Sequence, residues 1–410
     1  MNEAPLTYLQ RYVLQRQEGS PSATMFNLAK MYRLRKGIDL AKLADCLAQA
    51  GRSHQALLSV LHRFPGGGVL QVQGLDDEDI QVEIVKVPER NLLARRASYV
   101  KTFELFDEGL VDAIIFDCGA SSYLLSNIHH LVCDGYSFPL ILEDAHRVWN
   151  GETLEQDKYY EVLHLRSEYA ASPVGEAART LLREVLKISH FTSIPARDVF
   201  AAPGYGAFET TLSLSEGFED FLARHRVTRH HIFLATTALA LARMTQADDV
   251  LVDWVFHGRI SKDELRTVGA FMIDFPLVVE AISDMTASEL LAYVKQSTFR
   301  GIKNTRAITS ASDCNPNGED RITFIYQDRW GELMTPGKVD PNGPFAWMIE
   351  ETIPLRPPRI SAENPFNVEI MEHRDATRLF IEYDAGRYSA ATVRRYVEVF
   401  TQALAWLVEQ

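Results

Sequence analysis

Along the chain, stretches in which apolar residues recur every three or four positions alternate with stretches of strand-like alternation. The first helical stretch is "LAKLADCLAQAGRSHQALLSVL", whose stripe is Leu40, Leu43, Leu47, Leu57, Leu58 and Leu61, continuing or restarting after Gly51. "FPGGGVLQVQGLDDEDIQVEIVKV" alternates between turn residues and predicts strands. The Gly66–Gly68 run in it lacks the Gly-Lys-Ser/Thr ending of a phosphate loop and reads as a turn. "LVDAIIFDCGASSYLLSNIHHLVCDG" predicts two strands joined at Gly119–Ser122, with a histidine pair ending the second. Helical spacing resumes in "YSFPLILEDAHRVWNG" through Phe138, Leu142, Ala145 and Val148, and the polar Asn150–Lys158 stretch predicts a connection to a further helix.

A similar alternation starts again near residue 175. "TRHHIFLATTALALARMTQ" predicts a helix capped by Thr228, followed by the apolar strand "DVLVDWVFHGR". Thr286 and Glu289 stand in capping-box spacing at the start of "TASELLAYVKQSTF". "DPNGP" marks a turn in a long Pro-rich segment, and the last helix presents Val393, Tyr396, Val397, Phe400, Leu404, Leu407 and Val408 on one face. Helices, strands and long loops in this order predict an α/β (α+β layered) protein of two halves, 1–170 and 171–410.

A length of 410 residues supports that division, being too long for one ordinary core. The composition, 46% hydrophobic and 24% charged, is that of a soluble globular protein. A net charge of −13 and a pI near 5.4 argue against a nucleic-acid ligand. Cys46, Cys118, Cys133 and Cys314 form no CxxC pair, the usage of a reducing compartment. The N-terminus has no apolar signal core, and "IFLATTALALA" is about half of what spanning a bilayer needs, so a cytoplasmic protein with no membrane partner is expected.

The one dense cluster of chemistry-bearing residues is "NIHHLVCDGYS": His129, His130, Asp134, Gly135 and Ser137. Adjacent side chains on a strand point to opposite faces, so the histidines do not suit one metal ion, and neither HExxH nor a cysteine pair accompanies them. The same alternation sends one imidazole inward and leaves the other free as a general base. Asp134, if buried, needs a cation or several donors. Gly135 permits a tight turn whose N–H can approach a developing oxyanion. A pair of core histidines at a turn is the plainer alternative, and the local residues leave both open.

In its wider context, "SNIHHLVCDGYSFPLILEDAHRVWNG" resembles the HHxxxDG segment of the condensation domains of nonribosomal peptide synthetases, members of the chloramphenicol-acetyltransferase-like acyltransferases. A second block, "VTRHHIFLATTALALARMTQADDVLVDWVFHGRISKDELRTVGAFMIDFPLVVE", is similar to that family's helix, strand, Gly-Arg and GxFxxxxPL elements, the last here Gly269, Phe271, Pro276 and Leu277. The N-terminal "LTYLQRYVLQRQ", "TFELFDEGL" at 102–110 and the closing "VEIMEHRDATRLFIEYDAGRYSAATVRRYVEVF" fit the same family in order, so the resemblance spans nearly the whole chain.

The resemblance implies two chloramphenicol-acetyltransferase-like subdomains arranged as a V around a central channel, the first carrying the HHxxxDG motif. A crossover segment from the second, within Asp340–Asn364, would reach the first. It implies a free-standing condensation enzyme that transfers an acyl group to an amine or a hydroxyl. The donor would be a thioester on the phosphopantetheine arm of a carrier protein, supplied in trans, with no resident cofactor and no metal. His130 would act at the acyl-transfer centre as base or charge-stabilising group. His129 would be structural, Asp134 would orient the loop by pairing with Arg259, and Gly135 would leave room for the backbone. Ser137 and Asp274 are candidates for the substrate channel. A coenzyme A-dependent acyltransferase and a non-catalytic recruitment domain are the alternatives within the superfamily.

The chain departs from the family in three places. Ser53–Leu58 replaces an RHExLR-type element, Ile273 and Asp274 replace Asn-Thr, and "STFRGIKNTRAITS" stands where an HQDYPFE-like stretch is usual. His225, His230 and His231 read as surface or capping groups, Trp254 and Phe256 as core, and Cys133 as a non-nucleophile.

Overall fold

The computed structural model describes residues 2–18, 24–187, 191–328, 333, 336–355, 362, 364–373 and 376–409. In chain order the strands are β1 (Glu3–Pro5), β2 (Asn27–Leu34), β3 (Ser59–Arg63), β4 (Val69–Gln73), β5 (Glu83–Lys86), β6 (Val111–Asp117), β7 (Ser122–His129), β8 (Tyr205–Leu212), β9 (Val250–Phe256), β10 (Ile273–Val279), β11 (Ile322–Gln327), β12 (Gly337–Lys338), β13 (Ile349–Ile353), β14 (Phe366–Glu372) and β15 (Thr377–Asp384). The helices are α1 (Tyr8–Gln17), α2 (Leu40–Arg52), α3 (Glu89–Arg95), α4 (Ser137–Trp149), α5 (Tyr159–Ala171), α6 (Pro173–Lys187), α7 (Phe218–His225), α8 (Arg229–Thr245), α9 (Ala287–Lys303), α10 (Ala311–Cys314) and α11 (Ala390–Glu409).

The elements assemble into two compact units. One comprises Met1–Glu176, His257–Met272 and Glu332–Pro358; the other comprises Ala177–Phe256, Ile273–Gly331 and Arg359–Gln410. In the first unit a six-stranded sheet has the order β12-β13-β2-β7-β6-β5, beside a small β1-β4-β3 sheet. β12 and β13 come from far along the chain, and β13 pairs antiparallel with β2, Ile349 opposite Leu34. β13 lies within the Asp340–Asn364 segment expected to cross over; residues 356–361 and 363 of that segment lie outside the described residues. The β6–β7 hairpin turns through Gly119 at φ 83°, a left-handed conformation that favours glycine. β7 is buried along nearly its whole length, its polar Asn127 and His129 hydrogen-bonded within the protein, and it ends at His129 opposite Asn27 of β2. Met31, Leu92, Ile114, Phe116, Tyr123 and Leu125 form a core cluster against this sheet.

One segment departs from the sequence reading. The helix beginning at Leu40 stops at Arg52, Leu57 and Leu58 lie in a turn, and Leu61 lies in β3, paired with Gln71 of β4. A short apolar run carries no period of its own, so pairing with β4 decided its conformation.

The second unit holds a six-stranded sheet of order β10-β9-β11-β14-β15-β8, in which β11 runs parallel to both of its neighbours. α8 is buried from Ile232 through Ala242, and its first turn is closed by the Thr228–His231 capping box. α9 opens with the Thr286–Glu289 box. α11 buries Val393, Tyr396, Val399, Phe400, Ala403, Leu404 and Leu407, while Val397 and Val408 lie half-buried at the margin of the stripe. No helix among the described residues is long and apolar enough to cross a membrane.

Candidate active site

The site is built in the first unit, where β7 runs out into the loop before α4. The backbone of this loop is tied down group by group. His129 N–H donates to the Leu110 carbonyl, His130 N–H to the Phe26 carbonyl at 2.8 Å, and Val132 N–H to the His129 carbonyl. Leu131 N–H donates to His129 Nδ1 at 3.2 Å, and the Leu131 carbonyl accepts from Gln10 Nε2 at 2.7 Å.

His129 is fully buried. With Nδ1 accepting from the Leu131 amide, the ring proton sits on Nε2 and points at Gln17 Oε1, 2.9 Å away. Burial, assisted by the neighbouring His130, pushes its pKa down to about 3, so the ring stays neutral near pH 7. Both nitrogens are thus engaged within the protein. His130 is half-buried.

Asp134 is completely buried, yet both carboxylate oxygens are covered by donors. Oδ2 accepts from Arg259 Nη1 and from the Phe271 N–H, each at 2.9 Å; Oδ1 accepts from the Ser137 N–H at 2.9 Å and lies 2.8 Å from the Ser137 hydroxyl. Burial alone would raise the carboxyl's pKa. The Arg259 charge and these hydrogen bonds outweigh it and hold the group below its ordinary value, so it is ionised at neutral pH.

Arg259 is equally deep, its side chain without solvent exposure. All five of its side-chain N–H groups have acceptors. Nε donates to the Thr267 carbonyl; Nη1 to Asp134 and the His257 carbonyl; Nη2 to Ser137 Oγ at 2.6 Å and the Gly269 carbonyl at 3.2 Å. The guanidinium also lies 4.7 Å from the Tyr136 ring centre and 4.8 Å from that of Phe271. Tyr136 in turn stacks on His257, whose pKa burial and the Arg259 charge lower to about 4.

The Gly-Arg turn has its own supports. Gly258 sits at φ 77°, and a Cβ there would come within 1.8 Å of the Phe271 carbonyl oxygen, so no other residue fits. Glu264 accepts from the Ile260 and Ser261 amides, each at 2.8 Å, and pairs with Arg166 of α5 at 2.9 Å; Arg166 also donates to the Gly258 carbonyl. Farther along the segment, Thr7 Oγ1 donates to the Ala270 carbonyl, and the Val268 N–H donates to Asp157. The 257–272 segment is therefore held by side chains of the elements around it.

His129, His130, Asp134, Gly135, Ser137 and Arg259 all belong to this unit, whereas Asp274 lies half-buried in the other, on β10 opposite Val255. Gly135 is half-buried in the turn that leads into α4. Ser137 is fully buried and not a channel-lining group. Its hydroxyl accepts from Arg259 and from the Gly269 N–H, leaving its single proton for Asp134 or the Gly269 carbonyl. The Cys133 thiol is buried, and burial beside Asp134 drives its pKa well up, which suits a spectator and not a nucleophile. Among the described residues no group of three or more His, Cys, Asp or Glu side chains could hold a metal ion.

Sequence reasoning missed Gln10, Gln17, Asp157 and the supporting role of Glu264. Only Gln10 had a local signal, being the third residue of a capping box with Thr7. It also did not anticipate the use of the departed 53–58 stretch. His54 is buried between Asp144, 3.4 Å away, and Asp157, 3.1 Å away. Burial would lower its pKa, but the two carboxylates prevail and raise it to about 9. His230, expected at the surface or as a cap, packs against Trp254, Phe324 and Tyr326, and burial lowers its pKa to about 3.

With this geometry in view, comparison with known proteins identifies the class. The Condensation domain family model matches residues 1–307, and the chain belongs to that family, the condensation domains of nonribosomal peptide synthetases. Tyrocidine synthase 3 of Brevibacillus parabrevis is 23% identical over 418 residues, covering 97% of this chain but 6% of that protein. The nonribosomal peptide synthetase ataP of Aspergillus terreus is 25% identical over 316 residues, 74% of this chain and 19% of the relative. The chain thus spans a small part of these relatives' length. The condensation domain of the monacolin K polyketide synthase MokA has the same fold, with a TM-score of 0.80 at 16% identity over 100% of this chain and 98% of that one. The epimerization domain from the third module of tyrocidine synthetase B gives a TM-score of 0.74 at 17% identity over 99% and 98%. The expected α/β (α+β layered) fold is the fold found.

Proposed function

We propose that this chain is a condensation catalyst that transfers an acyl group from a carrier-bound phosphopantetheine thioester to an amine or, as the second choice, a hydroxyl. One observation carries the reading. Of the titratable groups in the motif, His129, Cys133 and Asp134 are buried and engaged, and His130 alone is within reach of solvent. In this reading the acceptor amine attacks the thioester carbonyl while His130 takes its proton. The C–N bond forms, the C–S bond breaks, and the proton passes to the departing thiolate. His130 is the catalytic residue; Asp134 and Arg259 are positioning residues that fix the loop bearing it. The phosphopantetheine arm arrives as part of the donor substrate, on a carrier protein.

The test is mass spectrometry of carrier proteins loaded with candidate acyl groups, mixed with amine and alcohol acceptors and either wild-type protein or His130→Ala. Acyl loss to a new amide or ester with wild type only is the expected result. Equal turnover by His130→Ala would remove this histidine from the mechanism. Turnover with free coenzyme A thioesters alone would make the donor a soluble one. Binding of carrier without turnover would favour recruitment.

A further inference from the structure

Helix α1 meets the His130 loop twice. Gln10 and Gln17 lie seven residues apart, two turns of helix, and therefore share one face. Both are buried, Gln10 at 1% and Gln17 at 0% exposure. Gln17 Oε1 receives the Nε2–H of His129, the residue before His130, and Gln10 Nε2 donates to the carbonyl of Leu131, the residue after it. We propose that Gln10 and Gln17 are positioning residues, a two-point clamp on α1 that sets the direction in which the His130 imidazole leaves the loop.

The clamp is itself anchored. Gln10 Oε1 accepts from the Thr7 N–H at 2.9 Å, closing the helix cap, and from Gln71 Nε2 at 3.0 Å, while Gln71 returns Oε1 to Gln10 Nε2 at 3.1 Å. Gln71 is further held by the Pro5 carbonyl and the Tyr159 hydroxyl. The amide of Gln10 therefore has one orientation that satisfies its neighbours, and in it the N–H faces Leu131. At the other contact, the Leu131 amide already occupies His129 Nδ1, so an acceptor is what Nε2 requires, and a glutamine oxygen supplies one without charge. A one-residue segment held on both sides has little freedom to rotate, and small displacements of a reacting group can cost about a hundredfold in rate.

The experiment compares Gln10→Met, Gln17→Met, Gln17→Glu and, as a control, the exposed Gln15→Met on the same helix. Proteins labelled with [15N]histidine report the imidazole rings directly, and far-UV circular dichroism reports folding. The clamp requires that the His129 Nε2–H proton be seen in wild type, Gln15→Met and Gln17→Glu and be lost in Gln17→Met. It also requires that the His130 ring signals shift in both Gln10→Met and Gln17→Met. In the carrier assay, those two variants should lose about 10- to 100-fold in kcat with KM changed less than about twofold, and Gln17→Glu should recover most of the loss. Unchanged His130 signals in both folded methionine variants, or unchanged kcat, would overturn the inference. The kinetic arm rests on the proposed acyl transfer. Should wild type prove inactive, that function fails, and the imidazole spectra still decide the clamp.

Discussion

The buried Asp134–Arg259 pair offers the most demanding test of how the loop is held. Replacing Arg259 with methionine keeps a long apolar stem but removes five donors. Breaking one side of a buried ion pair costs roughly 3–5 kcal/mol. Asp134 would retain the Ser137 and Phe271 donors, which works toward the lower end. The carbonyls of Thr267, His257 and Gly269 would each lose a partner, at about 1 kcal/mol apiece, which works toward the upper. A loss of about 4 kcal/mol is expected. Asp134→Asn should cost about as much, because it leaves the guanidinium uncompensated and turns an amide NH2 toward a backbone N–H that needs an acceptor. Since each single change already removes the pair, the double variant should lose less than the sum, with a coupling of about 2–3 kcal/mol. Urea unfolding at pH 7, followed by tryptophan fluorescence, measures the cycle. Additivity within about 0.5 kcal/mol would refute the claim that these two side chains stabilise the loop as a unit.

Three further outcomes follow from single groups. Gly258→Ala should lower stability by at least about 2 kcal/mol, since it adds a steric clash with Phe271 to a left-handed backbone; Gly119→Ala, at φ 83° with nothing within 4 Å, should show only the conformational cost of about 1–2 kcal/mol. His54 has its pKa raised from 6.5 to about 9, so its contribution, on the order of 3 kcal/mol, is fully present below pH 6.5 and lost as pH rises through about 9. His54→Gln should flatten the stability profile between those limits, and an unchanged slope would show that the carboxylates do not hold a charged ring. In thiol labelling of the native protein at pH 8, half-buried Cys118 should react first. Buried Cys133 and Cys314, whose pKa values burial drives well up, should react only in denaturant.

What the sequence by itself determined is what neighbours along the chain decide. The capping boxes at Thr7, Thr228 and Thr286 form because their partners lie three residues away. β6 and β7 form from adjacent apolar runs joined by a short turn, and α11 buries the stripe its spacing marks. The motif residues and Arg259 were legible as a set, because a resemblance in two ordered blocks picked them out. Tertiary structure decided what depended on distant pairing. Asp134 finds Arg259 across 125 positions and the Phe271 amide across 137, and Thr7 finds Ala270 across 263. Those contacts draw residues 257–272 into the first unit, although β9 before them and β10 after them belong to the second. They also turned Ser137 from a candidate channel group into a buried junction. Leu61 followed the same rule: its spacing fitted a helix, and pairing with β4 made it strand. A short apolar or polar stretch has no conformation or role of its own until the rest of the chain supplies the surface that buries it and the partners that satisfy its hydrogen bonds.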